Sequence, residues 1–592
     1  MANKESWGSR VGLILAMAGN AVGLGNFLRF PVQAIQNGGG AFIIPYLVCF
    51  LVMGIPLLYV EWAMGRFGGK SGHHSTPFIL DSMDKRKMWK YIGVFGIFTN
   101  IAVAAYYCYL ESWTLSYVWH SVAGSFDGQS QSQVAGFFDS YINLNTAEPI
   151  IFWILCLWVN TWILSKGLSG GVEKVAKIGM PLLIVFGILL AIKGVTLKAG
   201  VAGAVNDGTL GLNYLWTPDF SSIWSMKVWL AAAGQIFFTL SVGMGSIHCY
   251  ASYVNSKDDI ALNSQSAGWM NEFVEVVLGG AILIPIAIGY LGIDQVVEMT
   301  KTGGLGLGFK TFPYLFQQWG HVVAIFAGVM WFGLLFFAGI TSSLAMGTPC
   351  MGFMEDEFGW KRKNAAWAFG IVIFILGLPT VLFYNYGVFD EYDYWAGTVS
   401  LVIFALIEII LFAWVFGIDK GWREITEGAD IRVPLFFRFI IKWITPSILI
   451  VVFVGSLPSI WRTINHTDTQ QEIALAKNPQ LLLEEISALK SVELMGVSDS
   501  LIHHGDNIMN DQELSKEQKN AIFSVREKEV LHTKFTSPDF DLNKSVADKE
   551  KTMMYKNISR PFLLIIFALL AYLVHLAQKK RNHQKTLTHN NI

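Results

Sequence analysis

Long apolar stretches alternate with short polar segments along almost the whole chain. About 20 consecutive apolar residues suffice to cross the hydrocarbon core of a bilayer as an α-helix. Eleven such stretches begin near residues 9, 40, 89, 149, 173, 225, 260, 320, 364, 394 and 434, and another covers roughly residues 558–577. The pattern therefore predicts an all-α membrane protein with about 12 transmembrane helices.

Glycine and polar residues interrupt two of these spans, at residues 19–26 (GNAVGLGN) and 234–245 (GQIFFTLSVGMG). An unsatisfied backbone polar group costs several kcal/mol in hydrocarbon, so an unwound segment at this depth must line a cavity. Glycine favours unwinding, and the freed carbonyls become cation ligands. The interrupted spans are five apart, as in an inverted five-helix repeat with its site between two broken helices. We therefore predict a paired binding site.

Basic residues between the spans predict the orientation. The clusters at residues 85–90, 166–177, 361–363 and 579–581 fall on one side if all twelve spans are real. The first seven residues are polar, lead directly into a span and lack the features of a cleaved signal peptide. We expect a multi-pass protein of the plasma (inner) membrane with cytoplasmic N- and C-termini.

Residues 462–556 are polar and contain no apolar stretch long enough to span. Apolar residues near 473–475 and 481–489 favour amphipathic helices in a small folded insert, and a disordered linker is the alternative. The predicted domains are a core of spans 1–11 at residues 1–461, this extracytoplasmic insert at 462–556, and span 12 with a cytoplasmic tail at 557–592.

Composition supports the membrane assignment. The chain is 53% hydrophobic and 15% charged, whereas soluble domains carry about 25% charged residues. The formal net charge of −1 argues against a nucleic-acid partner. The cysteines lie in apolar stretches without metal-type spacing, and no Ser-His-Asp or metal-ligand arrangement is found, so we do not expect an enzyme.

Several motifs occur together in the order found in one family. They are LILAMAGNAVGLGNFLRFP at residues 13–31, IPLLYVEWAMG at 55–65, QIFFTLS at 235–241, AGITSS at 338–343 and YWAGT at 394–398. Over about residues 1–461 and 558–583 the chain resembles the neurotransmitter:sodium symporter family, most closely its bacterial amino-acid transporters. The resemblance implies a LeuT-like inverted five-helix repeat, with spans 1–5 at about 9–195, spans 6–10 at about 225–416, and two further spans.

The resemblance also implies two sodium sites. A dehydrated hard cation needs about five or six oxygen ligands. The first site would use Ala21, Asn26, Thr239 and Asn271 with the carboxylate of the substrate, and the second Gly19, Val22, Ala338, Thr341 and Ser342. Taken alone, the hydroxyl groups of Thr341, Ser342 and Ser343 are better explained by bonds to their own helix or to neighbouring helices.

The resemblance places an amino acid between the two interruptions. The implied substrate contacts are Asn20, Ala21, Gly23, Leu24, Gly25, Val103, Tyr107, Phe238, Thr239, Ser241, Met244, Ser342 and Met346. Backbone N–H groups near Leu24 and Gly25 would hold the carboxylate together with Tyr107 and sodium. Monoamine-transporting relatives carry an aspartate where Gly23 stands, so glycine implies a substrate with its own carboxylate.

Two methionines shape the expected specificity. Met244 and Met346 stand where bulkier or branched apolar residues are typical of the bacterial amino-acid transporters. Methionine is flexible and polarizable, and it makes favourable contacts with aromatic rings. We predict an apolar L-amino acid as substrate, with large and aromatic side chains accepted. The alternative is that both methionines only fill space between helices.

Gate residues are implied by the same resemblance. Arg29 and Asp393 match the outer gate pair, and the inner gate would comprise Lys4, Trp7, Ser252, Tyr253 and Asp356. The family usually has arginine where Lys4 stands. Lysine cannot make the planar two-pronged contact with a carboxylate, so we expect it to hold Asp356 less firmly.

Glu275 follows Asn271 by one helical turn. Chloride-dependent relatives have a neutral residue there, so a glutamate implies chloride independence, with its carboxylate replacing the anion. The alternative is a glutamate satisfied by neighbouring hydroxyl groups. We expect Glu61, Glu111 and Glu408 to bond to broken-helix backbone, with Glu61 foremost in bracing the first interruption.

The predicted function is a sodium-coupled secondary-active symporter that imports its amino acid by alternating access. Its ligands would be two sodium ions and the amino acid, with no chloride requirement and no nucleic acid, and its surroundings would be membrane lipid. We expect a monomer or a homodimer. The alternative function is a non-transporting amino-acid sensor of the same fold, in which the insert binds a partner.

Overall fold

The computed structural model describes residues 5–589 except residues 302, 505–507, 509–510, 512–513 and 539. This described part is helical and contains no strand. In this described part, nine helices are long and apolar enough to cross a membrane, and a bent pair brings the number to ten. Shorter apolar helices, Glu148–Leu164 and Met226–Leu240, occupy the predicted fourth and sixth spans. The prediction of an all-α membrane protein is confirmed.

The twelve spans are numbered in chain order. Their bounds are Arg10–Ala21 with Leu24–Gln36 (span 1), Gly40–Lys70 (2), Trp89–Val122 (3), Glu148–Leu164 (4), Leu168–Val195 (5), Met226–Leu240 with Ser246–Ser252 (6), Ile260–Leu291 (7), His321–Phe358 (8), Arg362–Leu382 (9), Val388–Thr426 (10), Phe436–Ile464 (11) and Leu542–His589 (12). Shorter helices connect them: Thr76–Met83, Gln131–Ile142, Gly208–Trp216, Phe220–Trp224, Ile293–Thr300, Gly306–Thr311 and Phe312–Gln317.

The first helix ends at Ala21 and restarts at Leu24, with a bend of 53° between its two halves. Val22 and Gly23 between them are both extended. The Asn26 side chain accepts a hydrogen bond from the Gly23 N–H at 2.8 Å and so caps the start of the second half. This local cap satisfies a backbone group that would otherwise be unpaired in the membrane.

Span 6 is broken more widely, from Ser241 to Gly245. Ser241, Gly243 and Gly245 have φ angles of +54°, +73° and +91°. This left-handed region suits glycine and is unfavourable for serine. The two breaks lie side by side, because the Ser241 hydroxyl donates to the Asn20 carbonyl at 3.0 Å.

Spans 3 and 8 pack along each other and hold the broken spans. Asn100 of span 3 donates to the Met244 carbonyl in the break of span 6 at 2.7 Å. Ser342 of span 8 lies 3.2 Å from the Gly19 carbonyl of span 1. Neighbouring spans therefore supply polar partners to backbone that the breaks expose.

Residues 467–536 form helices Thr467–Lys477, Gln480–Val492, Asp499–His504 and Lys516–Thr536. They share a small apolar core that includes Ile486, Ile502 and Ile522. The last long helix begins at Leu542, well before the expected start of span 12 near residue 558. Arg560 in that helix makes a two-pronged ion pair with the buried Glu391, at 2.8 and 3.1 Å.

The helices of the insert, residues 467–536, contact the bundle on the side opposite to Arg10 and Arg581. Glu527 pairs with Lys301 at 2.8 Å, and the Ile508 N–H donates to Asp294 at 2.6 Å. A cavity of about 580 Å³ lies between the insert and the ends of spans 1 and 6 on this side, with Gln36 and Lys227 among its lining residues. We call this side of the bundle the insert side and the other the terminal side.

Candidate functional site: the pocket between the two breaks

A small central cavity of about 30 Å³ lies where the two breaks meet. Its lining residues are Asn20, Ala21, Gly23, Gly25, Asn26, Val103, Tyr106, Tyr107, Phe238, Thr239, Ser241, Met244, Ser342, Met346, Gly397 and Leu401. Every expected substrate contact except Leu24 is therefore brought to one cavity. The sequence reasoning missed Tyr106, Gly397 and Leu401. Gly397 belongs to the YWAGT motif, and Leu401 follows it by one helical turn.

This cavity has room for little more than a water or two. An amino acid can enter only if some of the lining moves. Met244 and Met346 are flexible enough to yield. Phe238 closes the cavity towards the insert side, with the Arg29 guanidinium 4.2 Å from its ring centre. The cavity as described is therefore too small for an amino acid.

Backbone and hydroxyl groups form one polar end of the cavity. The Leu24 N–H donates to the Tyr107 hydroxyl oxygen at 3.1 Å, which leaves the hydroxyl proton available to an acceptor. A Cβ atom at Gly23 would lie 2.8 Å from that same oxygen and 3.2 Å from Ser342 Oγ. Any side chain at position 23 would therefore displace the groups that form this end.

The two expected outer gate residues flank the cavity but do not pair with each other among the described ion pairs. Arg29 lies over the Phe238 ring. Asp393 accepts a hydrogen bond from the Tyr106 hydroxyl at 2.5 Å. Each gate residue is thus held by an aromatic side chain that lines the pocket.

The side chains expected at the first sodium site form one buried cluster. The Asn26 amide donates to Thr239 Oγ1 at 3.1 Å and to Asn271 Oδ1 at 2.8 Å, and all three residues are buried. They come from spans 1, 6 and 7, so their contact depends on both broken spans.

Glu275 lies directly beside this cluster and is fully buried. It accepts hydrogen bonds from Thr239 and Gln235, and from the Tyr46 hydroxyl at 3.1 Å. It sits in a π-helical turn of span 7, Phe273–Gly279, a local widening that is frequent at functional sites. A carboxylate there places negative charge next to the Asn26–Thr239–Asn271 cluster.

The oxygens expected at the second sodium site converge between spans 1 and 8. Ser342 Oγ lies 3.2, 3.4 and 3.1 Å from the carbonyl oxygens of Gly19, Val22 and Ala338. Thr341 Oγ1 is 3.3 Å from the Ala338 carbonyl. Because all of these oxygens are neutral, the group suits a monovalent hard cation.

The expected inner gate residues meet around His74 on the terminal side. The His74 ring stacks on Tyr253 with centroids 4.0 Å apart, and its Nδ1 is 2.8 Å from Ser252 Oγ. Its backbone N–H donates to Asp356 at 2.8 Å. Trp7 donates to the Tyr250 carbonyl at 3.1 Å. Lys4 lies outside the described residues, and sequence reasoning gave no signal for His74.

The expectation for the three other buried glutamates was wrong in detail. Glu61 accepts from the Gly243 N–H at 2.6 Å, so it braces the break of span 6 and not that of span 1. Its part of span 2 packs on the second half of span 6, which puts this break within reach. Glu111 bonds to side chains, Asn160 at 2.9 Å and Ser343 at 2.8 Å. Neither oxygen of Glu408 has a hydrogen-bond partner among the described residues.

Comparison with known proteins gives a consistent result. The model of the sodium:neurotransmitter symporter family matches residues 4–133 and 145–469. An uncharacterized sodium-dependent transporter of Methanocaldococcus jannaschii is 32% identical over 462 residues, which cover 76% of this chain and 89% of the relative. Sodium-dependent nutrient amino acid transporter 1 of Drosophila melanogaster is 25% identical, with 78% of each chain covered.

A solved structure shares the fold. The crystal structure of MhsT in complex with L-phenylalanine aligns with a TM-score of 0.67 and 28% identity, over 77% of this chain and 100% of that one. The predictions of a LeuT-like fold and of a transporter, as opposed to an enzyme, are confirmed. The chain belongs to the sodium:neurotransmitter symporter family and is a sodium-dependent membrane transporter.

Proposed function

We propose that this protein imports an apolar L-amino acid, with large and aromatic side chains accepted, together with two sodium ions and without chloride. The observation that carries the proposal is the central cavity. It joins both breaks, and its lining combines the polar residues Tyr107, Ser241 and Ser342 with the apolar residues Val103, Met244 and Met346.

Charge accounts for the substrate class. The cavity lining includes no aspartate, glutamate, lysine or arginine among the described residues, so a substrate must bring its own balancing charges. An amino acid does so. Its carboxylate would meet the N–H groups at the start of the second half of span 1, where the helix dipole is positive, and the Tyr107 hydroxyl. Its ammonium would face carbonyl groups of Ala21, Phe238 and Thr239.

The apolar end favours a large side chain. Two methionines can move aside and then repack against an aromatic ring. The structural neighbour MhsT, which is 28% identical in sequence to this chain, was solved with L-phenylalanine. This supports an aromatic amino acid as a substrate here.

Sodium would bind at the two oxygen groups described above. The first, at Asn26, Thr239 and Asn271 with the Ala21 carbonyl, is completed by the substrate carboxylate, which couples ion and amino-acid binding. The second joins span 1 to span 8 through Gly19, Val22, Ala338, Thr341 and Ser342, and so favours one position of span 1 relative to span 8. We assign Glu275 as the built-in negative charge that replaces chloride.

Alternating access follows from this arrangement. With the terminal side in the cytoplasm of the plasma (inner) membrane, opening at Arg29, Phe238 and Asp393 would admit substrate from outside. Opening at the inner gate around Tyr253 and Asp356 would release it inside. Each positive charge that enters gains about 2.3 kcal/mol per 100 mV of membrane potential, which can drive accumulation.

The test is uptake of labelled L-phenylalanine into proteoliposomes, with sodium and chloride varied independently. We expect accumulation that needs an inward sodium gradient and is unchanged when gluconate replaces chloride. Tryptophan and leucine should compete. Competition by glycine and alanine alone would contradict the proposed specificity, and sodium-dependent binding without accumulation would favour a sensor.

A matched pair of variants tests the role of Glu275. Glu275→Gln should make uptake rise with chloride, because the anion can then supply the missing charge. Glu111→Gln removes another fully buried membrane glutamate whose partners are Asn160 and Ser343, and its uptake should not depend on chloride. The assignment fails if both variants respond to chloride alike.

A further inference from the structure

Three titratable side chains meet behind the break of span 6, away from the central cavity. Glu61 of span 2, His248 of span 6 and Glu408 of span 10 are all 0% exposed. Glu61 Oε2 lies 3.4 Å from His248 Nδ1, and Glu408 Oε1 lies 3.6 Å from His248 Nε2. Each ring nitrogen therefore has a carboxyl oxygen within 4 Å. We call these three residues the triad.

The triad is poorly satisfied in hydrogen bonds. Among the described residues, Glu61 Oε2, both ring nitrogens of His248 and both oxygens of Glu408 have no hydrogen-bond partner. Both contacts exceed the roughly 2.7–3.2 Å of a good N–H···O bond. Buried polar atoms without partners are costly, and their concentration at three ionisable groups points to a ligand.

The chemistry of the three groups identifies that ligand as a proton. A neutral imidazole has one N–H, so one of its two contacts would bring a ring nitrogen lone pair against a carboxylate. One added proton gives an imidazolium whose positive charge lies within 4 Å of both carboxylates, and the charge of the triad changes from −2 to −1. A second added proton, on either carboxylate, makes the triad neutral, which a membrane interior favours.

A metal ion is the alternative ligand, because one nitrogen of His248 and one oxygen of each glutamate lie within 4.8 Å of one another. The zinc measurement described below decides between a proton and a metal.

Neighbouring charges do not neutralise the triad. Within 4 Å of Glu61 and Glu408 the described residues place no lysine or arginine. The charged side chains of the surrounding elements pair elsewhere: Arg66 with Glu424, Lys90 with Asp81, and Asp356 with the His74 N–H. The Phe404 ring lies beside His248, with centroids 6.3 Å apart, and contributes no charge. The proton count of the triad therefore sets its charge.

The triad is joined to the break of span 6. The other oxygen of Glu61, Oε1, accepts from the Gly243 N–H at 2.6 Å, and Gly243 precedes Met244 of the central cavity. A hydrogen bond to an ionised carboxylate is roughly twice as strong as one to a neutral acceptor. Protonation at Glu61, or a shift of His248 towards it, would therefore loosen the hold on this break.

We propose that Glu61, His248 and Glu408 form a proton-binding site whose occupancy controls the conformation of the break in span 6. Acidification would weaken the hold of Glu61 on Gly243 and so weaken substrate binding at the adjacent pocket. Only this consequence rests on the transport function proposed above. Proton binding itself does not.

The first experiment needs no substrate. Infrared difference spectra of the full-length protein in proteoliposomes would be taken between about pH 5 and pH 8, where histidine ordinarily titrates. We expect acidification to raise the C=O band of protonated carboxyl groups. Glu408→Gln should remove part of this change, and His248→Gln should shift its midpoint. Identical difference spectra in all three proteins would overturn the proposal.

His120→Gln is the matched control, because His120 also contacts a carboxylate, Glu148, at 2.6 Å but far from span 6. In the C=O bands that the triad variants change, the difference spectrum of His120→Gln should equal that of the unmodified protein. Two triad variants, Glu408→Gln and His248→Gln, are used because the second can still test proton binding if the first folds poorly, and the reverse. If the purified protein bound one zinc ion per molecule and His248→Gln bound none, the proposal would be overturned in favour of a metal site.

The second experiment measures L-phenylalanine affinity in sodium. From about pH 8 to about pH 5 the dissociation constant should rise about threefold or more in the unmodified protein and stay nearly constant in His248→Gln. A pH dependence that the variant retains would contradict the coupling. If L-phenylalanine does not bind at all, the proposed substrate is wrong, and the infrared result still decides proton binding.

Discussion

The two breaks serve one pocket but are held in different ways. In span 1 the break is two extended residues, and the Gly23 N–H is satisfied by Asn26 of the same span. In span 6 the break is five residues long and includes three left-handed ones. Its backbone is held from outside, with Glu61 of span 2 on the Gly243 N–H and Asn100 of span 3 on the Met244 carbonyl.

Because the two breaks are held differently, residues at one break are expected to matter mainly for folding stability and residues at the other mainly for ligand binding. The first break caps its Gly23 N–H within its own span and needs no left-handed residue, although Tyr107 and Ser342 also contact its backbone. Its glycines therefore shape the pocket without adding backbone strain. The second needs residues that tolerate positive φ and a scaffold that fits closely around them. Substitutions at the second break should therefore cost folding stability, and those at the first should cost ligand affinity.

The largest effect is expected for Gly243→Ala. Its φ of +73° is unfavourable for alanine, and the new Cβ would lie 2.3 Å from the Leu401 carbonyl oxygen of span 10. A left-handed alanine costs about 1–2 kcal/mol, and the clash adds to it. We expect a clear fall in the apparent unfolding temperature of the purified protein.

Gly234→Ala is the control for this variant. Gly234 is in the helical part of the same span, and a Cβ there would meet no atom within 4 Å. Its unfolding temperature should stay the same or rise slightly, because alanine favours helix. Equal stability of Gly243→Ala and Gly234→Ala would mean that the break of span 6 does not depend on its positive φ angles and close packing, and the contrast with span 1 would be lost.

The next effect is on binding and comes from Gly23→Ala. Gly23 has an ordinary φ of −122°, so alanine adds no backbone strain. Its Cβ would press on the Tyr107 hydroxyl, 2.8 Å away. We expect nearly normal unfolding temperature but L-phenylalanine affinity lower by about tenfold or more, or about 1.4 kcal/mol. An unfolded variant, or one with unchanged affinity, would contradict the comparison.

The comparison also explains what the sequence could predict. The first break was visible because its glycines and Asn26 lie within eight residues of one span. The family motifs then indicated most of the pocket lining. Glu61 was assigned to the wrong break, because which helices lie side by side is a tertiary property that spacing along one span does not contain.

The triad was invisible for the same reason. Glu61, His248 and Glu408 are far apart in sequence, and a lone histidine in an apolar stretch is ordinarily part of the core. His74 likewise gave no signal, since its partners come from spans 6 and 8. Span lengths and helix type follow from apolar runs, but contacts between spans follow from packing that a single sequence does not specify.

The smallest effect concerns Ser241, where the two breaks touch. Its φ of +54° strains the backbone, while its hydroxyl donates to the Asn20 carbonyl at 3.0 Å. Ser241→Ala loses the hydrogen bond and keeps the strain, whereas Ser241→Gly loses the bond and relieves the strain. The glycine variant should therefore be more stable than the alanine variant by about 1 kcal/mol. Equal unfolding temperatures for the two variants would mean that span 6 relaxes at this position, and that its break is held less tightly by the scaffold than Gly243 indicates.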